Sequence, residues 1–236
     1  MTKARDEPEP AAAPSQDPPL LSHRHATGPR YGLLLLLLIA TYLLSAFIDA
    51  RWVNDVQILV FVFSLLLALR NALVRKRIAR LIMAVALAGS AVVAGLTLAQ
   101  PTDAALGTAQ IWTGLLLLAA VIMIVRRILA STSVTIQSIY AALAAYMIIG
   151  LMFAAFYAAM NRLGNGPFFA GGSPQNTRTF QYFSFTTLTT LGYGDFTAAS
   201  NAGRAVAVME AMVGQIFLAT LVARLVSAFR PSQPRE

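Results

Sequence analysis

Six stretches of this chain are apolar over lengths that cross, or nearly cross, a lipid bilayer. Inside hydrocarbon each must satisfy its own backbone hydrogen bonds, which a single segment does only as a helix. Crossing about 30 Å of hydrocarbon takes roughly 20 apolar residues. The stretches run over 31–48, 52–69, 81–99, 111–125, 139–160 and 202–229, with a leucine run from Leu33 to Leu38 near the start of the first. The fourth is short and reaches a spanning length by extending into Arg126, Arg127 and Ile128, whose arginines snorkel towards the interface. With 57% hydrophobic residues, 12% charged residues and no cysteine in 236 residues, the composition is that of a polytopic membrane protein without disulfides or thiolate metal sites.

The net charge of +8 could suggest nucleic acid, but no nucleic-acid partner is expected, because the basic residues stand at helix ends. There they answer to lipid headgroups and topology. Arg24 and Arg30 precede the first stretch; Arg70, Arg75, Lys76, Arg77 and Arg80 fill the second-to-third connection; Arg126 and Arg127 follow the fourth; and Arg224, Arg230 and Arg235 lie at the end. The opposite turns carry Asp49, Arg51 and Asp55, then Asp103 alone. The positive-inside rule thus predicts a multi-pass protein of the cell membrane, of prokaryotic inner-membrane type by its compactness, with both termini in the cytoplasm. Arg75, Lys76 and Arg77 either mark topology alone or also hold acidic membrane lipids.

Residues 1–30 are rich in proline, alanine and charge, and are expected to be a disordered cytoplasmic segment rather than a signal peptide. His23 and His25 lie in it without cysteine or carboxylate partners that would make a metal site.

Between the fifth and sixth stretches the chain cannot span. A polar, glycine-rich loop through Gly164, Gly166, Gly171 and Gly172 reads as an external turret, and 176–189 is long enough for a helix reaching only half-way in. Irregular backbone at that depth is tolerated only where protein or a water cavity surrounds it. The residues that follow are Thr189-Thr190-Leu191-Gly192-Tyr193-Gly194-Asp195. Consecutive carbonyls can point at one axis if alternate residues take left-handed backbone angles, and Gly192 and Gly194 supply that alternation without a side-chain clash. Tyr193 can then brace the loop from outside, and the Thr190 hydroxyl can add an oxygen at the inner end.

This stretch resembles the selectivity filter of potassium channels, with TTLGYGD where that family usually has TTVGYGD. That filter is the established case of backbone carbonyls replacing an ion's hydration shell. The resemblance implies that Thr190, Leu191, Gly192, Tyr193 and Gly194 bind K+, the only metal expected, with no cofactor besides K+ ions in the filter. One chain would supply a quarter of the ring, so a homotetramer is implied. Tyr182 and Phe183 match the aromatic cuff around the filter, and Thr189 joins the filter to its helix. Thr186 stands where some members carry a glutamate paired with the filter aspartate, so Asp195 needs another partner or stays solvated. Leu191 in place of valine keeps its carbonyl.

The sixth stretch resembles the family's inner helix. Gly214 falls at the gating-hinge position, and is read either as a hinge or as a small residue for close packing. Glu210, one turn earlier, is an ionisable group near membrane depth. It either faces the cavity or, the favoured reading, sits behind the filter against the pore helix, on the face it shares with Gly214.

The implied architecture is an all-α membrane protein with six transmembrane helices and a re-entrant pore helix and filter between the fifth and sixth. Residues 31–130 would form a four-helix domain resembling a voltage-sensor scaffold, 131–230 the pore domain and 231–236 a short cytoplasmic tail. The fourth stretch lacks the regularly spaced arginines of a voltage sensor; Arg126 and Arg127 are read as anchors. Potassium-selective passive conduction is the expected function, without enzyme chemistry. The alternatives are a less selective cation channel or a non-conducting pore-like subunit. An uptake transporter would need four filter repeats in one chain, and this chain has one. No segment spells out a gating stimulus, which leaves room for an unidentified gating partner.

Overall fold

A computed structural model describes residues 31–47, 76–131, 134–172 and 175–228. The expected second helix over 52–69, the N-terminal segment with His23 and His25, Arg75, and the tail beyond 228 lie outside the described residues. Within them the chain forms α1 (Tyr31–Phe47), α2 (Lys76–Ala99), α3 (Asp103–Ala130), α4 (Ile136–Leu163), a 3-10 turn (Ala170–Gly172), α5 (Thr177–Leu188) and α6 (Asn201–Ala228). Four are long and apolar enough to cross a membrane: α2 over Arg80–Ala99, α3, α4, and α6 over Asn201–Ser227; α1 is a shorter apolar helix.

The largest departure from the sequence reading is α3, which takes in far more than 111–125. Its start is fixed by Thr102, whose side chain accepts from the Ala105 backbone N–H, with Asp103 in the first turn where a carboxylate suits the helix dipole. Ala104, Ala105 and Ala109 continue the helix easily although they lower its apolar signal. At the other end Arg126 and Arg127 are helical, in line with the extension of the fourth stretch through them. Asp103 is not alone either: Arg162 of α4 donates to it at 2.7 Å on the exposed rim.

α4 is the axis of the packing. It buries Ala141, Ala144, Ala145, Ile148 and Tyr157, and contacts α1, α3, α5 and α6. Its N-terminus carries a capping box in which Thr135 and Ser138 satisfy each other's backbone donors. α3 and α4 form an antiparallel hairpin, with the Asp103–Arg162 pair at one end and Ser131 at the other. The end of α6 returns to the second of these, where Arg224 Nη2 donates to the Ser131 carbonyl at 2.5 Å. Arg126, Arg127 and Arg224 therefore share one end of the bundle, opposite Asp103 and the 164–172 loop.

Small residues set how closely the helices approach. A β-carbon on Gly114 of α3 would come within 2.4 Å of the Phe156 ring of α4. One on Gly89 of α2 would meet the Trp112 ring, whose Nε1 donates to Ser90 Oγ at 3.1 Å. A Gly114→Val change should force α3 and α4 apart at a cost of about 1–3 kcal/mol for overpacking. Thermal melting of the purified protein should fall accordingly; an unchanged melting temperature would show that the Phe156 ring swings away freely.

Candidate functional site

The short helix α5 starts where Asn176 Oδ1 accepts from the Thr179 backbone N–H at 3.0 Å, and ends at Thr189, whose N–H bonds back to Phe185. Its position is set by contacts on every side. From α1, Tyr42 packs edge-on to Phe185 with ring centroids 4.8 Å apart, and Ser45 Oγ donates to Gln181 Oε1 at 3.2 Å. On the loop side, Phe183 and Phe180 enter an aromatic cluster with Tyr157, Phe168 and Phe169, at centroid distances between 5.0 and 5.8 Å. That loop is tied to the segment after the filter sequence: Ala170 N–H donates to Thr197 O and Ala199 N–H to Phe168 O.

The backbone after α5 alternates. Thr190, Gly192 and Gly194 have φ of +59°, +52° and +79°, so every second residue is left-handed. The glycines take this conformation freely, whereas Thr190 bears roughly 1–2 kcal/mol of strain for it. The turn is held by Thr190 N–H donating to Thr187 O at 2.9 Å and Gly192 N–H to Thr186 O at 3.1 Å. The Thr189 hydroxyl donates to Phe185 O, and Gln215 Nε2 of α6 reaches Thr190 Oγ1 at 3.4 Å. Thr190 to Asp195 lie exposed, including the Tyr193 ring, 68% exposed, and the Leu191 side chain.

Thr186 bonds its own helix, its hydroxyl donating to Phe183 O at 3.0 Å. Asp195 Oδ1 accepts from the Phe196 N–H, and the Tyr182 phenol lies within hydrogen-bonding reach of the Asp195 carboxylate. The Tyr182 ring meanwhile packs on Phe196.

Behind α5 sits Glu210, fully buried on α6. Tyr157 of α4 donates to its Oε2 at 2.5 Å; its Oε1 lies 2.5 Å from Ser184 Oγ of α5, which also lies 2.6 Å from the Gly150 carbonyl of α4. One turn on, a β-carbon at Gly214 would come within 2.3 Å of the Leu188 carbonyl oxygen. Glu210 and Gly214 thus lie on the α6 face that meets α5, and the glycine has a packing reason to be there. Tyr146 adds a 3.2 Å bond to the same Leu188 carbonyl.

Of the residues singled out from sequence, Tyr182, Phe183, Thr186, Thr189 to Asp195, Glu210 and Gly214 are gathered around α5. Arg77, Arg126 and Arg127 lie away from it on α2 and α3, with Lys76 opening α2. Sequence reading missed Ser184, Tyr157, Tyr146, Gly150 and Gln215. A hydroxyl on the half-way helix and a tyrosine amid the apolar run were the available signals for a buried carboxylate's partners.

A family model described as an ion channel matches residues 146–230. Over that segment this chain is similar to ion channels. The match covers the second half of α4, the loop, α5, the alternating backbone and α6, and points to a membrane channel rather than an enzyme. No curated protein and no solved structure matches the chain.

Gly214 yields a prediction whose sign separates its two readings. If it served only to soften the helix, Gly214→Ala would stabilise by up to about 1 kcal/mol. Contact with a backbone carbonyl instead predicts destabilisation of about 1–3 kcal/mol. Gly95→Ala on α2 is the control, because a β-carbon there meets open space. Melting curves should move down for Gly214→Ala and stay level or rise for Gly95→Ala.

Proposed function

We propose that this protein is a potassium-selective ion channel in which four copies surround one pore lined by the carbonyls of Thr190 to Gly194. The observation that carries this reading is the left-handed backbone at every second residue, Thr190, Gly192 and Gly194. It turns successive carbonyls to one side of the strand, as a chain that replaces an ion's water oxygens requires. A single copy offers one side of such a cage. The exposed Leu191 and Tyr193 side chains, and the exposed apolar residues Val208, Met209, Met212 and Ile216 of α6, are surfaces for neighbouring copies and lipid.

The rest of the site fits the same reading. The C-terminal end of α5 stops beneath the filter sequence and directs its partial negative charge towards the path of a cation. Asp195 lies at the opposite end of the alternating stretch, adding a carboxylate at the entrance. With the basic end of the bundle in the cytoplasm, the turret and Asp195 face outward. Membrane lipids would meet the arginines at the inner end. The four-helix domain over 31–130 would carry no regular gating charges, leaving voltage dependence weak.

Reconstituted liposomes provide the test. Wild-type protein should pass potassium much faster than sodium. Gly192→Asp, placing a β-carbon and a charge on a left-handed residue, should abolish the flux without dispersing the assembly. Equal potassium and sodium flux would replace this reading with that of a less selective cation pore. No flux from intact tetramers under any stimulus would mean a non-conducting subunit.

A further inference from the structure

The Glu210 cluster contains three short oxygen–oxygen contacts. They are Tyr157 Oη to Glu210 Oε2 at 2.5 Å, Ser184 Oγ to Glu210 Oε1 at 2.5 Å, and Ser184 Oγ to the Gly150 carbonyl oxygen at 2.6 Å. Each needs one hydrogen. Tyr157 and Ser184 bring one apiece, and the Gly150 carbonyl brings none. With an ionised Glu210, Ser184 has one hydrogen to divide between two acceptors, both closer than the pairs that Thr41 and Ser45 each share at 2.7 to 3.2 Å, so one contact lacks a full hydrogen. The count is one hydrogen short.

We infer that Glu210 carries a proton on Oε1 in the folded protein, so that a single uncharged chain of hydrogen bonds latches α4, α5 and α6 behind the pore sequence. Glu210 Oε1–H donates to Ser184 Oγ, the Ser184 hydroxyl donates to the Gly150 carbonyl, and the Tyr157 hydroxyl donates to Glu210 Oε2. All three contacts are then filled, and no group in the cluster is left wanting a partner.

The surroundings agree. Burying a lone carboxylate at membrane depth costs several kcal/mol unless it is paired with a cation. From α4 the titratable groups facing Glu210 are Tyr157 and, farther off, Tyr146. From α5 the Ser184 hydroxyl reaches it, and both carboxylate oxygens are engaged by hydroxyls. Glu210 is therefore a positioning residue. It fixes the position of α5 relative to α6, one turn from the place where Gly214 lets the Leu188 carbonyl approach. The inference does not depend on which ion passes, and its test reads no flux.

The infrared difference spectrum between wild type and Glu210→Gln, both full-length in lipid bilayers at neutral pH, reads the proton directly. A protonated-carboxyl C=O band, present in wild type, absent in the variant and shifted in deuterated water, is the expected result. A carboxylate band in its place overturns the inference. Stability provides the second arm. Glutamine supplies the neutral acid's donor for Ser184 and acceptor for Tyr157, with one further N–H, so Glu210→Gln should melt much nearer to wild type than Glu210→Ala does. Glu210→Ala or Glu210→Asp should melt clearly lower or fail to fold. On raising the pH, wild type should lose stability as the proton leaves while Glu210→Gln stays level. A glutamine variant as unstable as the alanine variant would refute the proton on Oε1.

Discussion

A helix of 12 residues that ends at the buried Leu188 leaves its last carbonyls, and the irregular backbone after it, to find partners in the protein around them. Everything around α5 answers that constraint. Its end is closed by backbone bonds from Thr189, Thr190 and Gly192 back into its last turn, and by the Tyr146 hydroxyl on the Leu188 carbonyl. Its flanks are held by α1 through Tyr42 and Ser45, by α4 through the Gly150 carbonyl, and by α6 through Glu210 and Gly214. Its outer end is wedged by phenylalanines of the loop.

The supports differ in kind, and the difference bears on function. The aromatic cluster is apolar packing, tolerant of small shifts and rich in dispersion contacts. The Glu210 cluster is polar and buried, so it is favourable only when each hydrogen has its acceptor. Such a cluster admits one arrangement of three helices and penalises the others. A left-handed Thr190 is strained by itself, and persists only where its surroundings hold it. The rigid arrangement behind α5 and the strained backbone in front of it are parts of one device.

Much of this was legible in the sequence, for stated physical reasons. Runs of apolar residues specify spanning helices almost alone, because the bilayer removes the alternatives. That is why α1, α2, α4 and α6 begin and end within a few residues of their expected limits. Gly192 and Gly194 announced the left-handed positions; Thr190 did not, because nothing in a threonine predicts positive φ. The fourth stretch looks shorter in the sequence than α3 is, because the first turns of α3 are alanine and polar residues, which fold as helix without signalling membrane. The partner of Asp103 lies 59 residues away and only the fold brings it there. Ser184 and Tyr157 escaped notice for the same reason: a buried carboxylate asks for hydroxyls, but the sequence does not say which ones arrive.

The central claim is that the alternating backbone from Thr190 to Gly194 selects potassium. Its most direct test is the reversal potential of current through the full-length protein in a planar bilayer, with potassium on one side and sodium on the other. A reversal potential far from zero, with the sign of a potassium-selective membrane and insensitive to the anion, is the predicted result. A reversal potential near zero would contradict the account, because the carbonyls of Thr190 to Gly194 would then not be what discriminates between the two ions.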